Sequence, residues 1–188
     1  MEKFYITTPI YYVNDEPHIG HAYTTILADV ISRFQRKLGN DVYFLTGTDE
    51  HGQKVQEAAN KRKVQPQDHA DEYVKRFKNA WVNLDINYDY FIRTTDSNHK
   101  DSVKEILSFL YDKGDIYFDE YEGLYSVSEE RFITQKENED GEFREIKKIK
   151  EKNYFFKMSK YQEALLKHIN KNPDFIQPKS RENEILGF

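Results

Sequence analysis

The N-terminal order of strand-like and helix-like segments constrains the fold most. Phe4 to Val13 is rich in β-branched and aromatic residues and has no helical period, so it predicts a strand buried on both faces. Asp41 to Leu45 predicts a second strand, and Gly39 ends the segment before it as a C′ glycine would. In between, apolar residues recur every four positions, with others beside them, and predict a helix with one stripe facing a core: Ala22, Ile26, Val30, Phe34, Leu27, Ile31 and Leu38. A strand, a helix and a strand in this order predict an α/β fold with a parallel sheet, whose ligands bind beyond the carboxyl ends of the strands.

The start of this helix carries two histidines. Asn14 to Pro17 has turn chemistry, with a helix-capping side chain and a proline suited to the first helical turn. His18 and His21 are three residues apart, so both can lie on one face of that turn. Gly20 leaves room where a phosphate would approach closely. Because a helix N-terminus attracts anions, the pair predicts a site that binds a polyphosphate and stabilises charge when its α-phosphorus is attacked.

The motif alone leaves other interpretations open. The histidines could be two surface side chains at a helix start. A metal-binding pair is the third possibility, although a helix N-terminus repels a cation and the chain has no cysteine to complete a zinc shell. Asp49 follows the second strand, so we expect it at the same sheet edge, facing a bound cation. Its alternative role is the N-cap of a helix starting near Gly52.

Composition narrows the class of protein. With 28 basic and 33 acidic residues among 188, the net charge is −5, so any contact with RNA must come from a local patch. The absence of cysteine excludes disulfides and cysteine-ligated zinc. No apolar run approaches membrane-spanning length, and the N-terminus lacks the layout of a signal peptide. We therefore expect a cytoplasmic protein without a membrane partner.

The rest of the chain divides into two regions. Helices are predicted at 53–63, 67–84 and 97–111, and a third strand at 90–92. Trp81 is predicted to be core, whereas His69 and His99 lie on polar stretches and are predicted to be solvated. From Asp115 the pattern changes to short strand-like pieces and a charged stretch with a turn at Asp140-Gly141. The predicted domains are residues 1–114 and 115–188.

Several spaced segments together resemble the start of class I methionyl-tRNA synthetases. They are residues 4–12, 17–24, 44–52, 91–95, 114–117, 121–123, 153–156 and 172–176, with His18-Ile19-Gly20-His21 matching the "HIGH" signature. The resemblance implies a Rossmann-like parallel sheet with a small α+β insertion domain. It implies that His18, Gly20 and His21 bind ATP, that both histidines are catalytic, and that Mg²⁺ accompanies ATP. It further implies that Asp49 holds the ammonium of L-methionine and that Ile10 and Tyr12 form its pocket.

Residues 115–188 resemble the connective insertion of that family, which helps place the acceptor end of tRNA(Met). Many relatives carry a cysteine-ligated zinc there, so we expect a metal-free insertion in this chain. The basic stretch Arg144 to Lys160 contains seven lysines and arginines; a solvated charged hairpin is favoured over a phosphate-backbone contact. Lys157-Met158-Ser159-Lys160 looks like part of the second class I signature, "KMSKS", but Ser159 is expected instead to cap the helix that follows.

The resemblance implies the activity of a methionine–tRNA ligase, of which this chain would be an N-terminal portion. Such a portion would lack the true lysine loop and the anticodon-binding domain, and we expect it to be inactive by itself. Two alternatives remain. One is a small H-x-G-H nucleotidyltransferase acting on another metabolite, and the other is a non-catalytic binding module.

Overall fold

The computed structural model describes residues 1–127, 131–139, 141, 143 and 145–187. Asp140 of the predicted turn and Arg144 of the basic stretch lie outside the described residues. The chain forms two compact units, residues 1–104 and 105–188, and the division falls within one helix, α4 (Ser97–Asp112). The assignment of residues 115–188 as an insertion domain stays a prediction.

The first unit is an α/β structure with a parallel sheet, as predicted. Its strands are β1 (Lys3–Thr7), β2 (Tyr11–Tyr12), β3 (Asp41–Asp49) and β4 (Tyr90–Arg93), and β3 pairs in parallel with each of the other three. Its helices before α4 are α1 (Ile19–Lys37), α2 (Gln53–Arg62) and α3 (Pro66–Asn83). The core contains Val13, Phe44, Val55, Phe77 and Trp81, which confirms the core prediction for Trp81.

The prediction of one strand over Phe4 to Val13, buried on both faces, is wrong. The segment forms two strands separated by residues 8–10, and Pro9 in the break has no N–H to donate to a ladder. Only alternate residues of β1 are partly buried, and Tyr5 is 63% exposed. The strand pairs with β3 at one end of the strand order, so it is an edge strand of the sheet.

The prediction that the apolar stripe of α1 faces the core is also wrong. The buried residues of α1 are Thr25, Ala28, Asp29 and Ser32, whereas Phe34 is 58% exposed. The exposed apolar side chains also include Ile26, Leu27, Val30 and Leu38, while Ala22 and Ile31 are half-buried. Hydrogen bonds turn the polar face inward, because the carboxylate of Asp29 accepts from the backbone N–H of Asn87 at 2.9 Å.

His69 corrects another prediction, since it is 1% exposed rather than solvated. Its Nε2 lies 2.8 Å from the carbonyl oxygen of Val13, and its Nδ1 lies 3.0 Å from Nη1 of Arg62. A polar ring can occupy the core because both nitrogens have partners. His69 thereby links α3 to the segment that leads from β2 to α1. His99 is half-buried, which its polar surroundings did not predict either.

The second unit is built on an antiparallel sheet. Strand β5 (Ile116–Ser126) lies between β6 (Arg131–Ile133) and β7 (Ile146–Phe156). The remaining elements are helices α5 (Gln135–Glu139), α6 (Gln162–Lys171) and α7 (Glu182–Leu186), with 3₁₀ turns at Met158–Lys160 and Lys179–Arg181. The basic stretch forms one strand, β7, rather than a hairpin of its own, and its lysines pair with glutamates of β5, as Lys150 does with Glu120 at 2.6 Å. No helix in the described part of the chain is long and apolar enough to cross a membrane.

Candidate functional site

The two histidines at the start of α1 cap the helix for each other. The Nδ1 of His18 accepts from the backbone N–H of Gly20 at 3.1 Å, and the Nδ1 of His21 accepts from the backbone N–H of His18 at 3.1 Å. This is the geometry of a capping box, with histidines in both side-chain roles. The cap is therefore His18, and the prediction that the preceding turn supplies the cap, with Pro17 in the first helical turn, is wrong.

The reciprocal cap determines the tautomer of both rings. A ring nitrogen that accepts a hydrogen bond carries no proton, so each neutral imidazole holds its proton on Nε2. The rings are stacked, with centroids 3.7 Å apart. Each histidine consequently has an Nε2–H that the cap does not use, beside the N-terminal end of α1. The first turn of α1 contains no acidic residue, so this end retains the positive potential that favours an anion.

Gly20 serves this cap directly. A Cβ built on Gly20 would lie 2.9 Å from Cε1 and 3.1 Å from Nδ1 of His18. The space that the missing side chain leaves is therefore filled by the imidazole of His18. The sequence predicted that Gly20 leaves space for a phosphate, and the structure shows in addition that the glycine leaves space for the His18 ring.

Aromatic packing holds His21. Its ring lies 4.7 Å from that of Tyr11 and 5.3 Å from that of Phe77, between centroids. Thr25 Oγ1 donates to the carbonyl oxygen of His21 at 2.8 Å, so the Tyr11 hydroxyl donates in turn to Thr25 Oγ1, also at 2.8 Å. Burial, and then the neighbouring His18, lower the pKa of His21 below its ordinary value of 6.5. His21 is therefore a neutral donor at neutral pH.

The strand register brings the other predicted residues to the same edge of the sheet. Tyr11, which contacts His21, pairs with Thr48, and Tyr12 pairs with Asp49. Tyr12 therefore lies beside Asp49, the predicted ligand of the methionine ammonium. The side chains alternate here: Tyr11 is buried, whereas Tyr12 and Ile10 are about equally exposed at 41% and 42%. Lys54 Nζ lies 5.6 Å from the centre of the Tyr12 ring. Tyr12, Asp49 and the histidine pair thus belong to one continuous edge.

Asp49 is the last residue of β3 and is half-buried. The alternative role as a helix N-cap is not observed, because the N-cap of α2 is Gly52, which makes no side-chain cap bond. The next carboxylate, Glu50, is fully buried and accepts from Arg93, Thr48 and Thr95. None of those hydrogen bonds goes to Asp49.

Comparison with known proteins decides the family. The model of the family described as tRNA synthetases class I (M) matches residues 4–141. This chain belongs to that family.

Similar proteins agree with this membership. Proteins named methionine–tRNA ligase from Fusobacterium nucleatum and Clostridium perfringens are 51% and 52% identical to the chain, over 100% and 99% of its length. The chain spans about 30% of the length of these two relatives. The structure of Mycobacterium tuberculosis methionyl-tRNA synthetase in complex with methionyl-adenylate matches the whole chain, and 38% of its own length, with a TM-score of 0.93 and 43% identity.

The segment that looks like the second signature of class I synthetases has a structural role in the second unit. Lys160 Nζ forms an ion pair with the fully buried carboxylate of Asp115, which also accepts from the hydroxyl of Tyr161. Lys157 Nζ lies 5.8 Å from the centre of the Tyr117 ring. The predicted N-cap role of Ser159 is wrong, since Ser159 lies in the 3₁₀ turn and Tyr161 is the N-cap residue of α6.

Sequence reasoning missed two parts of this site. It did not assign Tyr11 and Thr25, although an aromatic residue beside a predicted pocket residue was visible. It also did not assign the Glu50–Arg93 ion pair, because the two residues are 43 positions apart in sequence. Nothing local in either segment indicates that they meet.

Proposed function

We propose that this chain supplies the ATP and methionine sites of a methionine–tRNA ligase. The observation that carries the proposal is the mutual cap of His18 and His21. It leaves two Nε2–H donors at a helix N-terminus, on the sheet edge where Tyr12 and Asp49 pair. Donors of this kind suit the charge that develops on a phosphoryl group under attack, and a carboxylate suits an amino-acid ammonium.

In the proposed reaction, a carboxylate oxygen of L-methionine attacks the α-phosphorus of ATP. A new P–O bond forms as the bond to the leaving pyrophosphate breaks, and the product is methionyl-adenylate. His18 and His21 donate hydrogen bonds to the phosphoryl oxygens as charge builds on them. The acyl group then passes to a ribose hydroxyl at the end of tRNA(Met), and AMP leaves.

The remaining assignments are part of the same proposal. Ile10 and Tyr12 line the methionine pocket, Asp49 binds the ammonium, and Gly20 belongs to the ATP site. Mg²⁺ would be held mainly by the phosphates of ATP and by water. We expect no zinc, because the sequence has no cysteine. We place the protein in the cytoplasm, without a membrane partner.

The test is methionine-dependent exchange of labelled pyrophosphate into ATP. It is run with the 188-residue chain and with the full-length product of the gene that encodes it. We expect exchange by the full-length product and none by the chain alone. If neither protein supports exchange, the proposal is refuted, and the histidine pair is reassigned to another nucleotide substrate or to a binding module.

Two variants assign the roles within the full-length product. His21→Ala should lower the exchange rate by about 10²–10³, the usual loss for one such donor. Asp49→Asn should raise the KM for methionine by roughly 10–100-fold, because it removes a charged hydrogen-bond acceptor, and leave that for ATP unchanged. Val82→Ala, at a 74% exposed position on α3, is the control and should leave every parameter unchanged.

A further inference from the structure

An ion pair between Glu50 and Arg93 forms at the residue that follows the proposed ammonium ligand. Glu50 follows Asp49 in sequence, and its side chain is 0% exposed. Arg93 approaches it with two nitrogens, Nε at 2.7 Å and Nη2 at 2.8 Å, which is the bidentate geometry that fixes both groups in orientation. Thr48 Oγ1 donates to the same carboxylate at 2.6 Å, and Thr95 Oγ1 donates to its other oxygen.

These bonds begin where the sheet ends. The ladder between β3 and β4 has Thr48 and Arg93 as its last pair, so Asp49 lies one residue beyond it. Beyond this last pair, hydrogen bonds to side chains connect the two strand ends. The backbone N–H of Glu50 donates to Thr94 Oγ1 at 2.9 Å, and Nδ1 of His51 lies 3.1 Å from the same oxygen. The residues on both sides of Asp49 are thus tied to the end of β4.

Arg93 extends the connection to a helix. Besides Glu50, it forms an ion pair with Asp71 of α3. The end of β3, the end of β4 and α3 therefore meet at one guanidinium. Burial by itself raises the pKa of Glu50, but the hydrogen bonds from Arg93, Thr48 and Thr95 more than offset it and leave that pKa below its ordinary value. Glu50 is therefore ionised at neutral pH.

Stability alone does not account for such a pair. Replacing a buried ion pair with apolar residues of similar volume is often neutral or stabilising, because the charges lose their hydration. An apolar pair, however, lacks the directional bonds that hold a backbone segment at one position and angle. Binding of a small cation by one carboxylate depends on that precision.

We propose that Glu50 and Arg93 are positioning residues for amino-acid recognition: they hold Asp49 where it meets the ammonium of the substrate. This inference rests on the proposed function. It predicts that disrupting the pair weakens discrimination for the ammonium and leaves the ATP site intact.

The experiment uses the full-length gene product and two competitive inhibitors of exchange. Methioninol carries the ammonium, and 4-(methylthio)butan-1-ol is the same molecule without it. The ratio of their inhibition constants isolates recognition of the ammonium. In the wild-type protein methioninol should bind more tightly. Glu50→Gln should reduce the ratio by about tenfold or more and raise the KM for methionine, with the KM for ATP unchanged within about twofold.

Three further variants separate positioning from folding. Glu50→Leu/Arg93→Met replaces the charges with apolar side chains, and it should unfold at a temperature close to that of the wild-type protein. Its ratio of inhibition constants should nevertheless fall, as in Glu50→Gln. Thr95→Val removes one hydrogen-bond donor to Glu50 and should give an intermediate ratio. It replaces Glu50→Gln in the test if that variant does not fold. Glu105→Gln is the matched control, since it makes the same change at an exposed glutamate of α4, and it should keep the ratio within about twofold.

Each outcome is decisive. A wild-type ratio in folded Glu50→Gln or Thr95→Val overturns the inference. So does a ratio that falls as much in Glu105→Gln. A wild-type protein that shows no methionine-dependent exchange refutes the proposed function itself, and that result is distinct because it appears before any variant is compared.

Discussion

Substituting Gly20 with alanine tests whether this glycine serves the His18 ring or the substrate phosphate. The added Cβ would lie 2.9 Å from Cε1 of His18, whereas ordinary contact begins at 3.4 Å, so the ring must move by about 0.5 Å. That movement disrupts the 3.1 Å bond from the Gly20 N–H to Nδ1. Loss of the cap costs about 1 kcal/mol. Alanine in place of glycine in a helix returns about the same amount.

We therefore expect Gly20→Ala to leave stability nearly unchanged and to impair catalysis. The melting temperature should shift by less than about 4 °C, because the two contributions nearly cancel. The exchange rate should fall by about 10²–10³, as for loss of one donor, because the His18 imidazole no longer points its Nε2–H at the substrate. Thermal unfolding of the chain and pyrophosphate exchange by the full-length gene product measure the two effects.

A double-mutant cycle with His18→Ala decides the cause. If the glycine only makes room for the ring, Gly20→Ala should change the rate by less than about twofold once His18 is already alanine. If its Cβ instead blocks a phosphate, the two effects should multiply, and the double variant should lose about 10⁴–10⁶. Multiplying effects, or a Gly20→Ala variant with wild-type activity, would refute the role assigned to the cap.

Three other predictions concern the sheet, the second unit and the tautomer. Gly47→Ala places a Cβ 2.1 Å from the backbone oxygen of Ile92, so β3 and β4 cannot stay paired, and thermal unfolding should show a loss above about 4 kcal/mol; a smaller loss would contradict the close approach of the strands. Asp115 has a lowered pKa because of its hydrogen bonds from Lys160 and Tyr161, so its stabilisation is present above the unfolded pKa of about 3.9 and is lost as pH falls through the lower folded value. Asp115→Asn should therefore melt below the wild-type chain at pH 7, and the gap should narrow near pH 3; a constant gap would be inconsistent with this. ¹⁵N NMR of His21 should report the Nε2–H tautomer at pH 7.5 and a titration midpoint below 6.5, because burial and the neighbouring His18 lower the pKa of its imidazole. The unfolded chain therefore takes up the proton at a higher pH than the folded chain, and stability declines as pH falls through this range; a midpoint above 6.5 would contradict the burial argument.

Local pattern predicted most of the elements. The helices expected at 53–63 and 67–84 are observed at Gln53–Arg62 and Pro66–Asn83, and the strand at 90–92 is Tyr90–Arg93. These segments carry their signals within a few residues, as periodicity, caps and turn residues. The break at Pro9 did have a local signal, because proline interrupts strands, but the β-branched and aromatic residues around it favoured one continuous strand.

Local sequence pattern could not predict which polar residues would be buried. The hydrophobic period of α1 correctly predicted a helix but not its orientation. Asp29 and Thr25 turn inward because their partners, the Asn87 N–H and the Tyr11 hydroxyl, come from other parts of the chain. His69 is buried for the same reason, since its hydrogen-bond partners are distant in sequence. A polar residue is placed in a core by the groups that satisfy it, and these are not visible in its own segment.

The amino-acid sequence by itself determined the βαβ order, and with it the edge of the sheet where Asp49 and the histidine pair belong, because hydrophobic period and chain order suffice for both. Tertiary structure alone decided the chemistry of that edge. The packing of Phe77 against the His21 ring, and the hydrogen bonds between Glu50 and Arg93, depend on short distances between residues far apart in sequence. Such distances arise only when separate segments are folded against one another, because hydrogen bonds have short range and strict direction.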